Sequence, residues 1–405
     1  MPNILLMCPE PLGHRQPAGV GIRFIEFARA LRRRGHAVTL LSPDGGAIDG
    51  CASAVAGPDS IRRFTAASDA AIVQGHIAND LFAHGHPIPT VVDLYDPYLV
   101  ENLHYSGTHG EEVFLHDHAT LLRSLRQGDF FLCASEAQRF FYLGLLLALS
   151  RLNPETFESD PSLDSLIAIV PFGVPPPRTI PSKTLAQPSA LFGGIYDWYD
   201  PQLAIEAVRL ARDRFPQLTL TFTEHPNAES TPQGVAAETR RVTRERGDEF
   251  VGFEPWVPYS ERAHAYDRFT ISLLTFGRSL ETDLSMRTRI FDFLWGGLPV
   301  IASSARGTDE ILGRYGAGVV VRATSPEPFA EAIVSVLSDE KRYERLLRGA
   351  SEFTSEHQWE DLLGPLLSFC DAPRADAEKI RYVAEDIQAA RPTSILARIR
   401  RKIGA

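Results

Sequence analysis

Cysteine is scarce in this chain of 405 residues. Cys8, Cys51, Cys133 and Cys370 stand singly, with no pair at a spacing that holds a metal or suggests a disulfide framework. Isolated thiols of this kind are expected to be reduced, as in a cytoplasm. Basic charge is also short: 41 Lys and Arg stand against 51 Asp and Glu, a net charge of −10. That balance argues against a nucleic-acid-binding face. Long apolar runs are missing too. The longest, FFYLGLLLAL at 140–149, is about half of what a bilayer-spanning helix needs. MPNILLMCPEP has no charged lead and too short an apolar run for a secretion signal, so a soluble, intracellular protein is expected. What remains, 44% hydrophobic and 23% charged residues, is ordinary globular composition with length enough for two domains.

Short apolar segments alternate with amphipathic ones. NILLMCPE (3–10), HAVTLLSP (36–43), AAIVQGH (70–76) and PTVVDLYDP (89–97) read as strands. GIRFIEFARALRRRG (21–35) reads as an amphipathic helix, a longer helical stretch runs from about 111 to 150, and LIAIVPFGVP (166–175) closes the first half as a strand. PPPRTIPSKTLAQPS (175–189) holds five prolines and few apolar anchors, which is linker chemistry. The alternation restarts with SALFGGI (189–195), LTLTFTE (218–224), EFVGFEPWVP (249–258), TISLLTF (270–276), PVIAS (299–303) and GAGVVV (316–321). Helices are expected between these strands over 200–216, and after the last of them over 326–357 and 359–370. Continuous apolar strands separated by helices predict parallel sheets buried on both faces. The predicted class is α/β, with two doubly wound Rossmann-like units, 1–175 and 189–370, joined by a hinge at 176–188. Their strand carboxyl ends should face a central cleft. The remainder, 371–405, ends in SILARIRRKIGA. Residues 393–405 read either as a peripheral contact with an anionic membrane surface or as a solvated terminus.

Several positions carry chemistry. In DLSMRTRIFDFLWGGLPVIASSARGTDEIL (283–312), Ser285 reads as an N-cap, and Met286, Ile290, Phe293 and Leu294 fall on one helical face ended by Gly296-Gly297. Arg287 and Arg289 then lie in a first turn, where each cation opposes the macrodipole by about 0.3–1 kcal/mol. An anion bound there would remove the conflict, since free backbone N–H groups at a helix start favour phosphate. Arg289 and Asp292 are three apart and share a face. Gly19 and Gly21 bring backbone close to a ligand or simply make a tight turn. Phe24 stands where a dinucleotide fingerprint needs its last glycine. Arg23 reaches the cleft or is solvated. His76, at a strand end, contacts a sugar or is structural. Asp93, Tyr95 and Asp96 bind acceptor hydroxyls or cap a turn. Asp309 and Glu310 open a helix electrostatically or touch a sugar. Neither Asp93 with Asp96 nor His116 with His118, which diverge on a helix, reads as a metal site.

Together, PAGVGIRFIEFARALRRRGHAVTLLSP, IVPFGVP and the 283–312 stretch resemble family-4 glycosyltransferases of the GT-B fold, over about 1–370. DLYDPYLVENL and SEAQRFFYLG look like a bacterial branch found among saccharide-assembly proteins. The resemblance implies a retaining transfer from a nucleoside-diphosphate sugar to a saccharide, lipid-linked or small-molecule acceptor, with no metal or other cofactor. It puts Arg287, Arg289 and Asp283 at the reaction, and Gly19, Gly21, Gly194, Trp256, Val257, Asp292 and Glu310 around the donor. Arg23, His76, Asp93, Tyr95 and Asp96 would meet the sugar or acceptor. Two departures stand out. The family's first glutamate falls on Leu284, and its cations after the first strand of the second half are absent from GGIYDWYDP (193–201). Arg287 and Arg289 are the replacements for those cations. A non-catalytic sugar-binding scaffold, and less so a nucleotide-sugar epimerase, are the alternatives.

Overall fold

Apolar runs of three to six residues become the strands of two parallel sheets. The structure, a computed structural model, describes residues 1–13, 17–48, 50–105, 110–224, 233–377 and 379. The first sheet has seven strands: β1 (Asn3–Met7), β2 (Ala37–Ser42), β3 (Ala52–Val55), β4 (Ala70–Val73), β5 (Thr90–Asp93), β6 (Phe130–Cys133) and β7 (Ile167–Ile169), in the order β3-β2-β1-β4-β5-β6-β7. The second has six: β8 (Ser189–Gly194), β9 (Thr219–Thr223), β10 (Val251–Glu254), β11 (Ile271–Leu274), β12 (Val300–Ser303) and β13 (Gly318–Val321), ordered β10-β9-β8-β11-β12-β13. Strand order reverses between β1 and β4 in one sheet and between β8 and β11 in the other. Such reversals are the points at which parallel sheets of this kind are expected to open a crevice at their strand carboxyl ends.

The 111–150 stretch is not one helix. Gly128 ends the helix Glu111–Gln127, FFLC enters the sheet as β6 with all four residues buried, and Ser135 caps a new helix, Glu136–Ala148, through a bond from the Gln138 N–H. The edge strand β3, mostly exposed, has no apolar run to announce it. The 326–357 stretch is likewise two helices, Pro326–Leu337 and Glu340–Glu356, the second capped by Asp339.

The second unit was expected to run to residue 370, but the chain leaves it earlier. His357 O accepts from Val174 N, and Trp359 N donates to Val174 O, so the two crossings between units lie side by side. Trp359, Leu363, Leu366, Phe369 and Cys370 then pack into the core of the first unit with Phe172 and Phe130. The reason is apolar surface: Phe130 and Phe369 stack at 5.1 Å and Phe172 and Trp359 meet at 4.7 Å. The proline-rich hinge is laid on the second unit, through Trp295 Nε1 to Pro176 O (3.1 Å) and Arg178 to Asp267 (2.7 Å). Among the described residues no helix is long and apolar enough to cross a membrane. The 393–405 segment lies outside the described residues.

Candidate functional site

The 283–312 stretch does not begin its helix at Ser285. A short helix, Leu280–Leu284, is opened by a capping box between Ser279 and Thr282, and Ser285 leaves it in an extended conformation. A second helix runs Thr288–Trp295, with Arg287 at its N-cap position and no side-chain cap. Arg287 is therefore not in a helical turn. Its fork grips Glu281 at 2.7 and 2.6 Å, with both side chains at most 5% exposed and the guanidinium over Tyr199 and Phe276. This corrects two expectations. Arg287 is committed to a carboxylate of its own chain, and that carboxylate is Glu281 rather than Asp283. Two residues apart on a short helix, the two side chains point to different faces. Asp283 is half-buried, with Arg278 at 3.8 Å.

Arg289 is placed differently. It donates to Gly194 O at the end of β8 and lies over the rings of Tyr196 and Tyr199, at 4.9 and 4.7 Å. Its Nη2 is shielded from solvent and has no hydrogen-bond partner among the described residues. Gly193, at φ +85°, and Gly194 let the guanidinium lie against the backbone: added Cβ atoms would stand 3.4 Å from its Cδ and 3.3 Å from its Nη2. Asp292, expected to be open to a ribose, holds Arg262 Nη1 at 2.6 Å. Arg262 in turn covers the rings of Trp256 and Tyr259 at 5.7 and 5.0 Å. Trp256 and Val257 are half-buried in the loop after β10, beside this pair. Asp309 folds back on its own helix start, accepting from Ala305 N and Ser304 Oγ, and Glu310 is exposed.

On the first unit, the helix Gly19–Arg33 begins against a carboxylate that the sequence reading missed. Glu10 Oε2 accepts from Ala18 N (3.1 Å) and Gly21 N (3.0 Å). A Cβ at Gly21 would stand 2.7 Å from that oxygen, and one at Gly19 would stand 2.6 Å from the Tyr95 hydroxyl. The Gly21 N–H thus already serves Glu10, and the glycines are there for close packing. Burial raises the Glu10 carboxyl to about 7 against the pull of those backbone donors.

Arg23 and Asp93 are also corrected. Arg23 is fully buried; it forks onto Asp93 at 2.6 and 3.0 Å and donates to Val170 O and Pro171 O. The pair braces helix, β5 and the approach to the hinge from inside. Tyr95 stacks on Arg23 and gives its carbonyl to Gln138 Nε2, which also reaches Leu284 O across the unit boundary. Asp96 and Glu101 hydrogen-bond each other, and Ser285 Oγ donates to Glu101 at 3.1 Å. Burial raises Asp96 to about 6, with the Glu281 charge adding to it, and raises Glu101 further. His76 stands at the end of β4, exposed, stacked on His116 at 5.3 Å and 3.6 Å from Asp117. Glu10, Glu101 and Arg262 were not singled out in the sequence: Glu101 and Arg262 take side-chain partners far along the chain, Ser285 and Asp292, and Glu10 meets backbone N–H groups that carry no side-chain signal.

Residues 295–353 match the family model described as glycosyl transferases group 1. The fold is similar over nearly the whole chain to solved glycosyltransferase structures. Sucrose-phosphate synthase from Thermosynechococcus elongatus matches at 14% identity and TM-score 0.64, over 92% of this chain and 100% of that one. HepE from Anabaena, in complex with UDP and glucose, matches at 15% identity and TM-score 0.65, over 91% and 100%. WaaG, a glycosyltransferase involved in lipopolysaccharide biosynthesis, matches at 13% identity and TM-score 0.62, over 91% and 100%. No curated protein sequence gives a significant match. The fold is GT-B: two parallel-sheet α/β units like those of these neighbours.

Proposed function

We propose that the protein is a nucleotide-sugar-dependent glycosyltransferase that moves a sugar, with retention, onto a saccharide, lipid-linked or small-molecule acceptor. The observation that carries this reading is Arg289. A guanidinium is held between Gly194 and two tyrosine rings at the second sheet's switch point, with Nη2 buried and unmatched. A buried N–H without an acceptor is costly, and a phosphate oxygen satisfies it with a charge-assisted bond. The uncapped start of Thr288–Trp295 is on the same helix, one residue away. HepE, one of the neighbours, has been solved with UDP-glucose.

In the transfer, negative charge grows on the departing diphosphate as the sugar–oxygen bond breaks. Arg289 and the helix start meet that charge without a metal, and one well-placed donor contributes roughly 3–4 kcal/mol to such a step. Glu281 and the stacked rings fix Arg287, which shapes the floor under the sugar. The acceptor hydroxyl attacks from the face of the leaving group and passes its proton to a diphosphate oxygen. On the first unit, Asp96, Glu101 and His76 would orient the acceptor, with Tyr95 packed beneath them on Arg23.

The test is a thermal-shift screen against UDP, GDP, CDP, ADP and dTDP with a chelator present. A ligand at a hundred times its dissociation constant adds about 2.7 kcal/mol. One nucleotide should stabilise the wild type, and Arg289→Ala should lose that shift while folding normally. No shift with any nucleotide sinks the reading. A second reading, a sugar-binding scaffold without turnover, is favoured by one observation: Leu284 stands where the resemblance calls for glutamate, and Glu281 and Asp292 are both held by arginines. Nucleotide binding with neither transfer nor donor hydrolysis selects it.

A further inference from the structure

We propose that His76, His116 and Asp117 form a binding site for one divalent transition-metal ion, zinc being the best match, at the carboxyl end of the first sheet. The three residues come from two elements. His76 follows β4 and precedes the helix Ile77–His84, while His116 and Asp117 are neighbours on the helix Glu111–Gln127. His118, the obvious partner in sequence, is turned away to stack on Phe114. The fold gives His116 a different partner: the His76 ring lies along it at 5.3 Å with 23° between planes.

One ligand atom from each residue lies within 4.8 Å of the others. Zinc bonds of about 2.0–2.2 Å in tetrahedral geometry put ligand atoms roughly 3.3–3.5 Å apart. His76 Nε2 and Asp117 Oδ1 are already at 3.6 Å. The remaining distances close by turning the two exposed imidazoles.

Asp117 supplies the independent sign of a ligand. The residue is 1% exposed, yet Oδ1 has no hydrogen-bond donor among the described residues and lies 3.6 Å from His76 Nε2. A buried carboxylate oxygen left without a donor is expensive. The other oxygen is held by Asn102 Nδ2 at 2.6 Å, and the Asp117 carbonyl accepts from the Tyr98 hydroxyl at 3.3 Å. Those bonds fix Oδ1 in place, as partners of metal-binding carboxylates do. Two imidazoles and one carboxylate satisfy three zinc positions and leave a fourth for water or an acceptor oxygen, the pattern of open zinc sites. The ion would stand on the acceptor side, apart from Arg289 and the donor diphosphate.

The experiment uses the full chain, stripped with a chelator and dialysed. Zinc is titrated by calorimetry, and cobalt is added separately to look for the visible absorption of a tetrahedral site. The expected result is one zinc per chain and a tetrahedral cobalt spectrum. His76→Ala, His116→Ala and Asp117→Asn should each lose about tenfold or more in zinc affinity, and Asn102→Ala should weaken it about 10–100-fold. His118→Ala should bind as the wild type does. His76→Ala and His116→Ala change exposed side chains, so their thermal unfolding without zinc should be unaltered. Zinc bound at less than half an equivalent, or bound equally by wild type and the His76→Ala/His116→Ala double variant, overturns the site. Neither readout involves a nucleotide, so this proposal and the transferase reading fail separately.

Discussion

Replacing Arg23 distinguishes a brace from a ligand contact. Its guanidinium makes two bonds to Asp93 and one each to Val170 O and Pro171 O, and it lies over Phe27 and Tyr95 at 4.9 and 5.0 Å. In Arg23→Met the volume is roughly kept, but Asp93 is left in the core without a cation, and ionising it or protonating it there costs about 3–5 kcal/mol near neutral pH. The two carbonyls lose a buried donor, and each such loss is about 1–3 kcal/mol when fully felt. These penalties overlap, so about 5 kcal/mol is the expected total, comparable to the whole stability of many domains. Urea unfolding should therefore show the first unit near its midpoint without denaturant. Arg23→Lys keeps the charge, loses the fork, and should fall between the two. The double variant Arg23→Met/Asp93→Leu removes both ions and should recover most of the loss, giving a coupling of several kcal/mol. In the single variant Asp93 has no cation, so its folded pKa rises. Its native state then holds a proton that the unfolded chain releases, and the defect should shrink as pH falls toward the ordinary carboxylate value. A loss below about 1 kcal/mol, together with loss of nucleotide or acceptor binding, would refute the brace and return Arg23 to the cleft.

Two more outcomes follow from the fold. Trp359→Ala, which empties a 3%-exposed site against Phe172, should cost about 3–5 kcal/mol. The transition affected should be that of the first unit, and an effect confined to the second would contradict the crossing described above. Glu10 at about 7 and Asp96 at about 6 are both raised by burial. The folded state thus keeps protons over the range from about 4 to 7 where the unfolded chain has lost them. Melting temperature should climb as pH is lowered from 8 to 5.5, and Glu10→Gln should flatten the upper part of that rise. A flat wild-type profile would show that both carboxylates are ionised normally.

The strands of both sheets were largely readable because burial on both faces leaves an unbroken apolar run, as in ILLM of β1 or VIAS of β12. β6 was hidden by its neighbours: FFLC lies between two helices rich in leucine, and periodicity cannot separate a buried strand from a buried helix turn. The stop at Gly128 and the cap at Ser135 were the available signal. β3 lacked even an apolar run, because an edge strand with little burial has no reason to carry one. The placement of Trp359–Cys370 was hidden for another reason. An amphipathic helix shows that it has a buried face, and nothing in its period tells which core receives it.

The site followed the same division between local and distant information. Arg287 and Arg289 were visible as cations in an acidic chain, but their roles were decided elsewhere. Arg287 depends on Glu281 across a helix break at Ser285 that no residue type announces. Arg289 depends on Gly194, some ninety residues earlier, whose missing Cβ leaves room for the guanidinium. Asp93 looked like a cleft carboxylate because it ends a strand, and that rule holds for the strand end. What reversed it was Arg23, one helical turn into a distant segment, arriving on the buried side. A strand-end carboxylate within reach of a buried arginine is consumed by it, since neither ion is tolerated in the core alone. Among the buried side-chain atoms that find no hydrogen-bond partner among the described residues, Arg289 Nη2 and Asp117 Oδ1 belong to ionised groups near strand carboxyl ends, and they are better guides to ligands than the strand ends themselves.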